Sequence, residues 1–300
     1  MVKLQRVVKP RTHKAKLALE NREPKLIENT KTALFLHGHN TSELTRRCLK
    51  DLFALKRNFA KHMHQKNKIM PFEDIVPLEK FAQQYDSSLF GLINHSKKRP
   101  HNLILGRMFD YHLLDMVELG LEQYKSLTDI PGTKVSVGTK CCLVFCGPDF
   151  ESDEKYKRLK SLLLDFFRGV EATSLRLQGF EHALFFFLNE GKLYIRSYKI
   201  LFRKSGMRKP RVELMEIGPS STMTIRRTKF ASKDLFKRAC KEPKKLQPKK
   251  KKNISKNALG TKLGRVHMTK QDIDNLQTRK VRALKSDKKS KSPAGVGTDL

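Results

Sequence analysis

KTALFLHGHN, running from Lys31 to Asn40, decides the reading of the fold because the chain writes it twice. KCCLVFCGPD, from Lys140 to Asp149, lays over it. Lys31 matches Lys140, Leu34 matches Leu143, Gly38 matches Gly147 and Asn40 matches Asp149. Each stretch has an apolar run of strand length, a glycine where the chain must turn, and a polar residue able to cap a helix. Leu44, Cys48, Leu52, Leu55 and Phe59 recur at helical spacing after the first, with Asn40 as expected cap and Glu43 three residues on, as in a capping box. Tyr156, Leu159, Leu163 and Phe166 do the same after the second, and Gly169 is the expected stop. Two units of strand, turn and amphipathic helix define a mixed α/β fold. The match is short, and α/β chains repeat this unit freely, so the pattern alone leaves internal duplication open.

Further strands are expected at HNLILG (His101–Gly106), HALFFFL (His182–Leu188) and KLYIRSY (Lys192–Tyr198), the last two as a hairpin about Asn189-Glu190-Gly191. VELMEI and TMTIRR flank Gly218-Pro219-Ser220 and read as another hairpin, with Met223 and Ile225 on one face and Thr222, Thr224 and Arg226 on the other. Asp110-Tyr111-His112 and Asp115 read as one face of a helix.

Charge narrows the function. The 300 residues carry a net charge of +33 and 38% hydrophobic residues. That apolar content serves a core of about 200 residues. A chain this basic needs a polyanion, and nucleic acid is the first choice. An anionic membrane surface is the rival, but no apolar run approaches the roughly 18 residues needed to span a bilayer. MVKLQRVVKPRTHK lacks the apolar core of a signal peptide, so an intracellular protein is expected. The five cysteines, Cys48, Cys141, Cys142, Cys146 and Cys240, are odd in number and fit reduced, structural thiols.

Chemical motifs are sparse. Neither glycine turn has the spacing of a phosphate-binding loop. His37 and His39 share a strand face, and His62 and His64, read on a helix, diverge; no third ligand completes a metal set. No Ser or Cys sits in a nucleophile signature. An enzyme is not expected, and no cofactor or metal. Basic clusters carry the binding chemistry instead. Lys97, Lys98 and Arg99 sit in a loop before a strand, and Arg107 ends that strand. Arg226 and Arg227 close the last strand with Lys229 beyond, and Lys249, Lys250, Lys251 and Lys252 open the tail. Such side chains neutralise phosphates and release counterions, so affinity should fall with salt. The tail is too poor in aliphatics to offset its own ordering entropy and is expected to stay disordered until bound, apart from a short helix near Lys270–Leu284. With no Trp and six Tyr, backbone and shape contacts to folded RNA are favoured over base stacking.

A series of stretches points further. KTALFLHGHN, MPFED (Met70–Asp74), KKRPHNLILGRMFDYHLLDM (Lys97–Met116), LKSLLLDFFRG (Leu159–Gly169), RSYK (Arg196–Lys199), MEIGPSSTMTIRRT (Met215–Thr228), PKKKKNIS (Pro248–Ser255) and LQTRK (Leu276–Lys280) occur in an order that resembles the Brix-domain family of ribosome-assembly factors. The resemblance covers about Val7 to Leu284. It implies a Brix domain over residues 31–234, in two pseudo-symmetric halves, 31–135 and 136–234. A basic extension (1–30) would precede it and a basic, largely disordered tail (235–300) would follow. It also implies a nucleolar, non-catalytic factor of the large subunit. Such a factor helps bring 5S rRNA and its two ribosomal proteins into the precursor, supports rRNA maturation, and pairs with a partner, the regulator of ribosome synthesis. The alternative is a protein scaffold whose core binds that partner and whose tail alone touches RNA.

Overall fold

The computed structural model describes residues 10–22, 28–136, 138–172, 174, 176–207, 209–242, 246 and 251–270. The chain divides into two units, Met1–Lys245 and Leu246–Leu300. An exposed helix, α1 (His13–Arg22), opens the first, with Thr12 Oγ1 accepting from the Ala15 N–H. Then come β1 (Ala33–Gly38), α2 (Glu43–Leu55), β2 (Ala60–Asn67), α3 (Val76–Tyr85), β3 (Leu89–Asn94), β4 (Asn102–Phe109) and β5 (His112–Lys125). After a linker follow β6 (Cys141–Cys146), α4 (Asp149–Ser152), α5 (Glu154–Phe167), β7 (His182–Asn189), β8 (Lys192–Arg203), β9 (Arg211–Glu216), β10 (Ser220–Lys229) and α6 (Lys233–Ala239).

These ten strands form one sheet, ordered β2-β1-β3-β4-β5-β10-β8-β7-β6, with β9 also on β8. From either edge inward the same pattern appears. β1 pairs β3 parallel, and β3, β4 and β5 continue antiparallel; β6 pairs β7 parallel, and β7, β8 and β10 continue antiparallel. β5 and β10 pair antiparallel at the centre and join the two patterns. The two quoted stretches are therefore equivalent strands.

Local chemistry explains the ends. Ser42, not Asn40, caps α2, its Oγ accepting from the Thr45 N–H at 3.3 Å. A hydroxyl one residue before the first turn reaches an amide that Asn40 cannot. α2 stops at Leu55, so Phe59 falls in a separate short turn, Arg57–Phe59. Asp153 caps α5, accepting from the Lys155 N–H at 2.9 Å, and Gly169 at φ +62° follows its end. Glu190 and Gly191, at φ +50° and +73°, close the β7–β8 hairpin.

Three expectations fail here. Asp110 and Tyr111, at φ +51° and +62°, form the two-residue turn of the β4–β5 hairpin, and Asp115 lies within β5, not on a helix. Asp110 suits such a turn but Tyr111 does not, and with no glycine beside them the turn carried only a weak sequence signal. VELMEI and TMTIRR do not pair with each other. β9 and β10 lie end to end along the same side of β8, and the Ile217 N–H donating to the Ser197 carbonyl at 3.0 Å keeps the chain on that edge between them. His62 and His64 stand on β2, a strand, where alternate residues share a face.

One core lies on the α2–α5 side and draws on both patterns: Phe35, Leu49, Leu52, Leu119, Leu159, Leu163, Phe186 and Leu193. A second lies on the opposite side, where Leu78 and Ala82 of α3 and Ile69 cover Leu34, Phe90, Leu92, Ile104 and Met116. In the second unit, β11 (Ile254–Lys256) and β12 (Lys262–Gly264) form a small, exposed antiparallel hairpin inside the segment expected to be disordered. The helix expected near Lys270–Leu284 lies outside the described residues, save Lys270.

Candidate nucleic-acid interface

The loop from Asn94 to Asn102 is held firmly at its base. Ser96 and Arg99 exchange backbone hydrogen bonds, both 3.1 Å, closing a tight turn whose tip carries Lys97 and Lys98. His101 Nδ1 and the Ser42 hydroxyl lie 2.8 Å apart, so the residue that caps α2 also anchors the loop. Lys97 and Lys98 are exposed, and Arg99 is half-buried. The loop thus presents two cations on a fixed stem.

Next to it, β10 brings Arg226 and Arg227 over β5. Arg227 Nε donates to Glu118 Oε2, and its Nη2 donates to Oε1 at 3.2 Å. Asn102 Nδ2 donates to Oε1 at 2.6 Å, and Arg99 Nη1 lies 3.7 Å from it. Arg226 Nη1 reaches Asn102 Oδ1 at 3.4 Å. Its guanidinium lies flat on Gly120, where a Cβ would stand 2.3 Å from Nε. A side chain at that position would have to push the guanidinium aside. Burial pushes the Glu118 carboxyl up, but hydrogen bonds from Arg227 and Asn102 and the charges of Arg227 and Arg99 hold it below its ordinary value. Phe72, from the MPFED stretch, lies under Arg227 at 4.1 Å from ring centroid to guanidinium carbon. These groups border an open pocket of about 130 Å³, with Glu73 also on its wall. Three stretches far apart in sequence, Met70–Asp74, Lys97–Asn102 and Arg226–Arg227, thus converge around one buried carboxylate.

Other predicted residues part company. Arg107 is 5% exposed. Its Nε and Nη2 donate to Asp115 Oδ2 at 2.9 and 2.5 Å, and its Nη1 donates to Ser161 at 2.9 Å and Asp165 at 2.8 Å. The structure takes Arg107 off the candidate list, because its donors are committed to α5 and β5. The same network includes Arg158, 3.7 Å from Asp115, with the Phe236 ring 3.7 Å from its guanidinium carbon. Lys229 is exposed within β10, not beyond it. Lys251 and Lys252 are exposed in the second unit, whereas Lys249 and Lys250 lie outside the described residues. Sequence reasoning missed Lys56, 7% exposed, whose Nζ donates to the Phe166 carbonyl at 2.6 Å near the end of α5. Burial pushes its pKa down to about 8.

His37 and His62 face each other, Nε2 to Nε2, at 2.8 Å. Burial and the charges of His64 and His37 push His62 down to about 4. Among the described residues no three metal-ligating side chains cluster. Burial raises the Cys48, Cys141 and Cys142 thiols, Cys141 to about 11. A larger pocket of about 750 Å³ opens beside Arg107, but its wall mixes Lys31 and Arg107 with Asp86, Asp110 and Asp165 and so exerts little net pull on a phosphate. No helix among the described residues is long and apolar enough to cross a membrane.

A sheet built twice on one plan, joined through its last strands, defines the class, and comparison with known proteins gives the family. Residues 38–227 match the Brix domain, and the chain belongs to the Brix-domain family. It is 53% identical over 261 residues to the ribosome production factor 2 homolog of Homo sapiens, covering 87% of this chain and 85% of that one. It is 46% identical to the Drosophila melanogaster protein of the same name, covering 96% and 90%. A probable ribosomal biogenesis protein from Aeropyrum pernix aligns with a TM-score of 0.42 at 9% identity, covering 67% of this chain and 99% of that one.

Proposed function

We propose that this chain is a non-enzymatic, RNA-binding assembly factor of the large ribosomal subunit. A role in ribosome biogenesis is the coarse reading that its kinship supports. The finer reading is that it helps bring the 5S ribonucleoprotein particle, 5S rRNA with its two ribosomal proteins, into the pre-ribosome and supports rRNA maturation. It works in the nucleolus, paired with the regulator of ribosome synthesis. Its halves divide near residue 135.

The observation that carries RNA binding is the loop tip. Lys97 and Lys98 stand exposed on a pinned turn beside Arg99, Arg226 and Arg227, in a chain of net charge +33. A turn already pinned spares the backbone ordering cost when its lysines meet a phosphate backbone. Crosslinking in cells, followed by sequencing of the attached RNA, tests it. Peaks on 5S rRNA and the large-subunit precursor, lost on substituting Lys97 and Lys98, are expected. Unchanged peaks in that variant would overturn the loop as a contact.

One observation favours the scaffold reading. Arg227 and Arg107, two of the candidate cations, are paired with Glu118, Asp115 and Asp165 within the fold. Deleting residues 237–300 separates the readings: the scaffold requires all RNA binding to vanish while partner binding persists.

A further inference from the structure

The MPFED stretch does more than set Phe72 under Arg227. It is a pinned turn: the Glu73 and Asp74 N–H groups both donate to the Met70 carbonyl at 2.9 Å, and Asp74 Oδ1 accepts from the Val76 N–H at 3.0 Å. It walls the open pocket of about 130 Å³ together with a second pinned turn, which supplies Ser96 and Arg99, and with Asn94 and Asn102 at that turn's base. At this volume, below the roughly 300 Å³ at which drug-sized ligands are held, the pocket suits one flat group.

Its two carboxylates differ in what they have left to give. Glu118 is fully buried, and its oxygens serve Arg227, Asn102 and Arg99. Glu73 is exposed, and among the described residues no cation lies within ion-pair distance of it, although Arg99 and Arg227 line the same pocket. An unpaired acid on a phosphate-binding face repels the backbone that the lysines attract. A ligand that brings hydrogen-bond donors accounts for its place there. Asn94 complements it: its Oδ1 accepts from the His95 N–H at 2.8 Å, and its Nδ2 has no partner among the described residues.

We infer that this pocket takes the base of one unpaired guanosine of the bound RNA. Guanine offers two adjacent donors, N1–H and the N2 amine, to a carboxylate such as Glu73, and its O6 accepts from an amide such as Asn94 Nδ2. Uracil offers one donor between two acceptors, and adenine and cytosine each offer an amine beside a ring nitrogen whose lone pair a carboxylate repels. Phe72 and Arg227, 4.1 Å from ring centroid to guanidinium carbon, give the base a flat wall. Lys97 and Lys98 stand on the tip of the turn whose stem lines the pocket, where they meet the flanking phosphates. The inference rests on the RNA-binding reading above and adds one base, read by its edge, to the backbone contacts of the loop tip.

The test is fluorescence anisotropy of the full chain with RNA hairpins that share one stem and differ in a single bulged nucleotide: guanosine, adenosine, cytidine, uridine or inosine. The guanosine bulge should bind about tenfold more tightly than the adenosine, cytidine and uridine bulges, and inosine, which lacks the N2 amine, should lose most of that advantage. Glu73→Gln should level the affinities and keep the melting temperature of the chain, since the side chain is exposed. Equal binding of all the bulges, a preference for another base, or a guanosine preference that survives Glu73→Gln overturns the inference and leaves the RNA-binding reading standing. No binding of any hairpin at low salt overturns both.

Discussion

The first half of the sheet is buried on both sides, whereas the second is buried on one. Phe90 and Phe187 make the contrast concrete. Phe90 lies under α3 at 1% exposure, and Phe187, on the same side of the sheet, is at 36%. The halves share strand order and register logic, yet differ in what a side chain on that side is worth. A repeated plan therefore does not bring a repeated energetic role. What covers a strand, and not the strand itself, sets how much burial contributes.

The largest expected effect concerns the seam between the halves. Asp115, fully buried, receives Arg107 and the Ala231 N–H and lies near Arg158. Asp115→Ala leaves those guanidinium groups buried without their acid. It should cost about 3–5 kcal/mol in a urea titration. A loss below about 1 kcal/mol would mean the halves do not depend on this seam.

The comparison itself is broken or kept by two truncations. Phe90→Ala should cost about 3–5 kcal/mol, because the covered face cannot refill the space. Phe187→Ala in the unbound chain should stay below about 1 kcal/mol, as for partly exposed sites. Equal losses would abolish the asymmetry.

Acid should act through buried imidazole. His182 is 7% exposed and lies 2.8 Å, Nε2 to Oγ, from Ser197. Burial pushes its pKa down from 6.5 to about 4, so the unfolded chain takes a proton that the fold refuses. This contribution is whole above pH 6.5 and is lost as the pH falls towards 4, to a limit of about 3 kcal/mol. His62, also lowered to about 4, acts in the same window. Melting of His182→Gln across that window should show a shallower slope; an unchanged slope would exclude His182 as the source.

The smallest effect on the fold is at the loop tip. Lys97→Ala with Lys98→Ala should leave the melting temperature within error. It should reduce the salt slope of RNA binding by about 1.5–2. An unchanged slope would place RNA contact elsewhere.

Much of the architecture was legible. The strands at Ala33–Gly38, Cys141–Cys146 and His182–Asn189 and the α5 stripe of Leu159, Leu163 and Phe166 announce themselves by short-range pattern. The failures were equally physical. The Asp110-Tyr111 turn puts a tyrosine at positive φ, which that residue seldom adopts, and no glycine marked it. β9 and β10 looked like a hairpin because a Gly-Pro-Ser break separates two strand-like runs, and only β8 shows that both share one neighbour. The basic clusters were found, but their worth was not. Lys97 and Lys98 stayed on the surface while Arg107 was drawn into the core.

By itself the sequence determined the two-unit α/β plan, the excess of positive charge and the family resemblance. These rest on composition and on patterns a few residues long. Only the tertiary structure decided that Arg107 serves Asp165, 58 residues away, and that Arg227 serves Glu118, 109 residues away. It also decided that the second half is left open where the first is covered. An ion pair or a covered face depends on which distant elements meet, and a local pattern carries no record of that meeting.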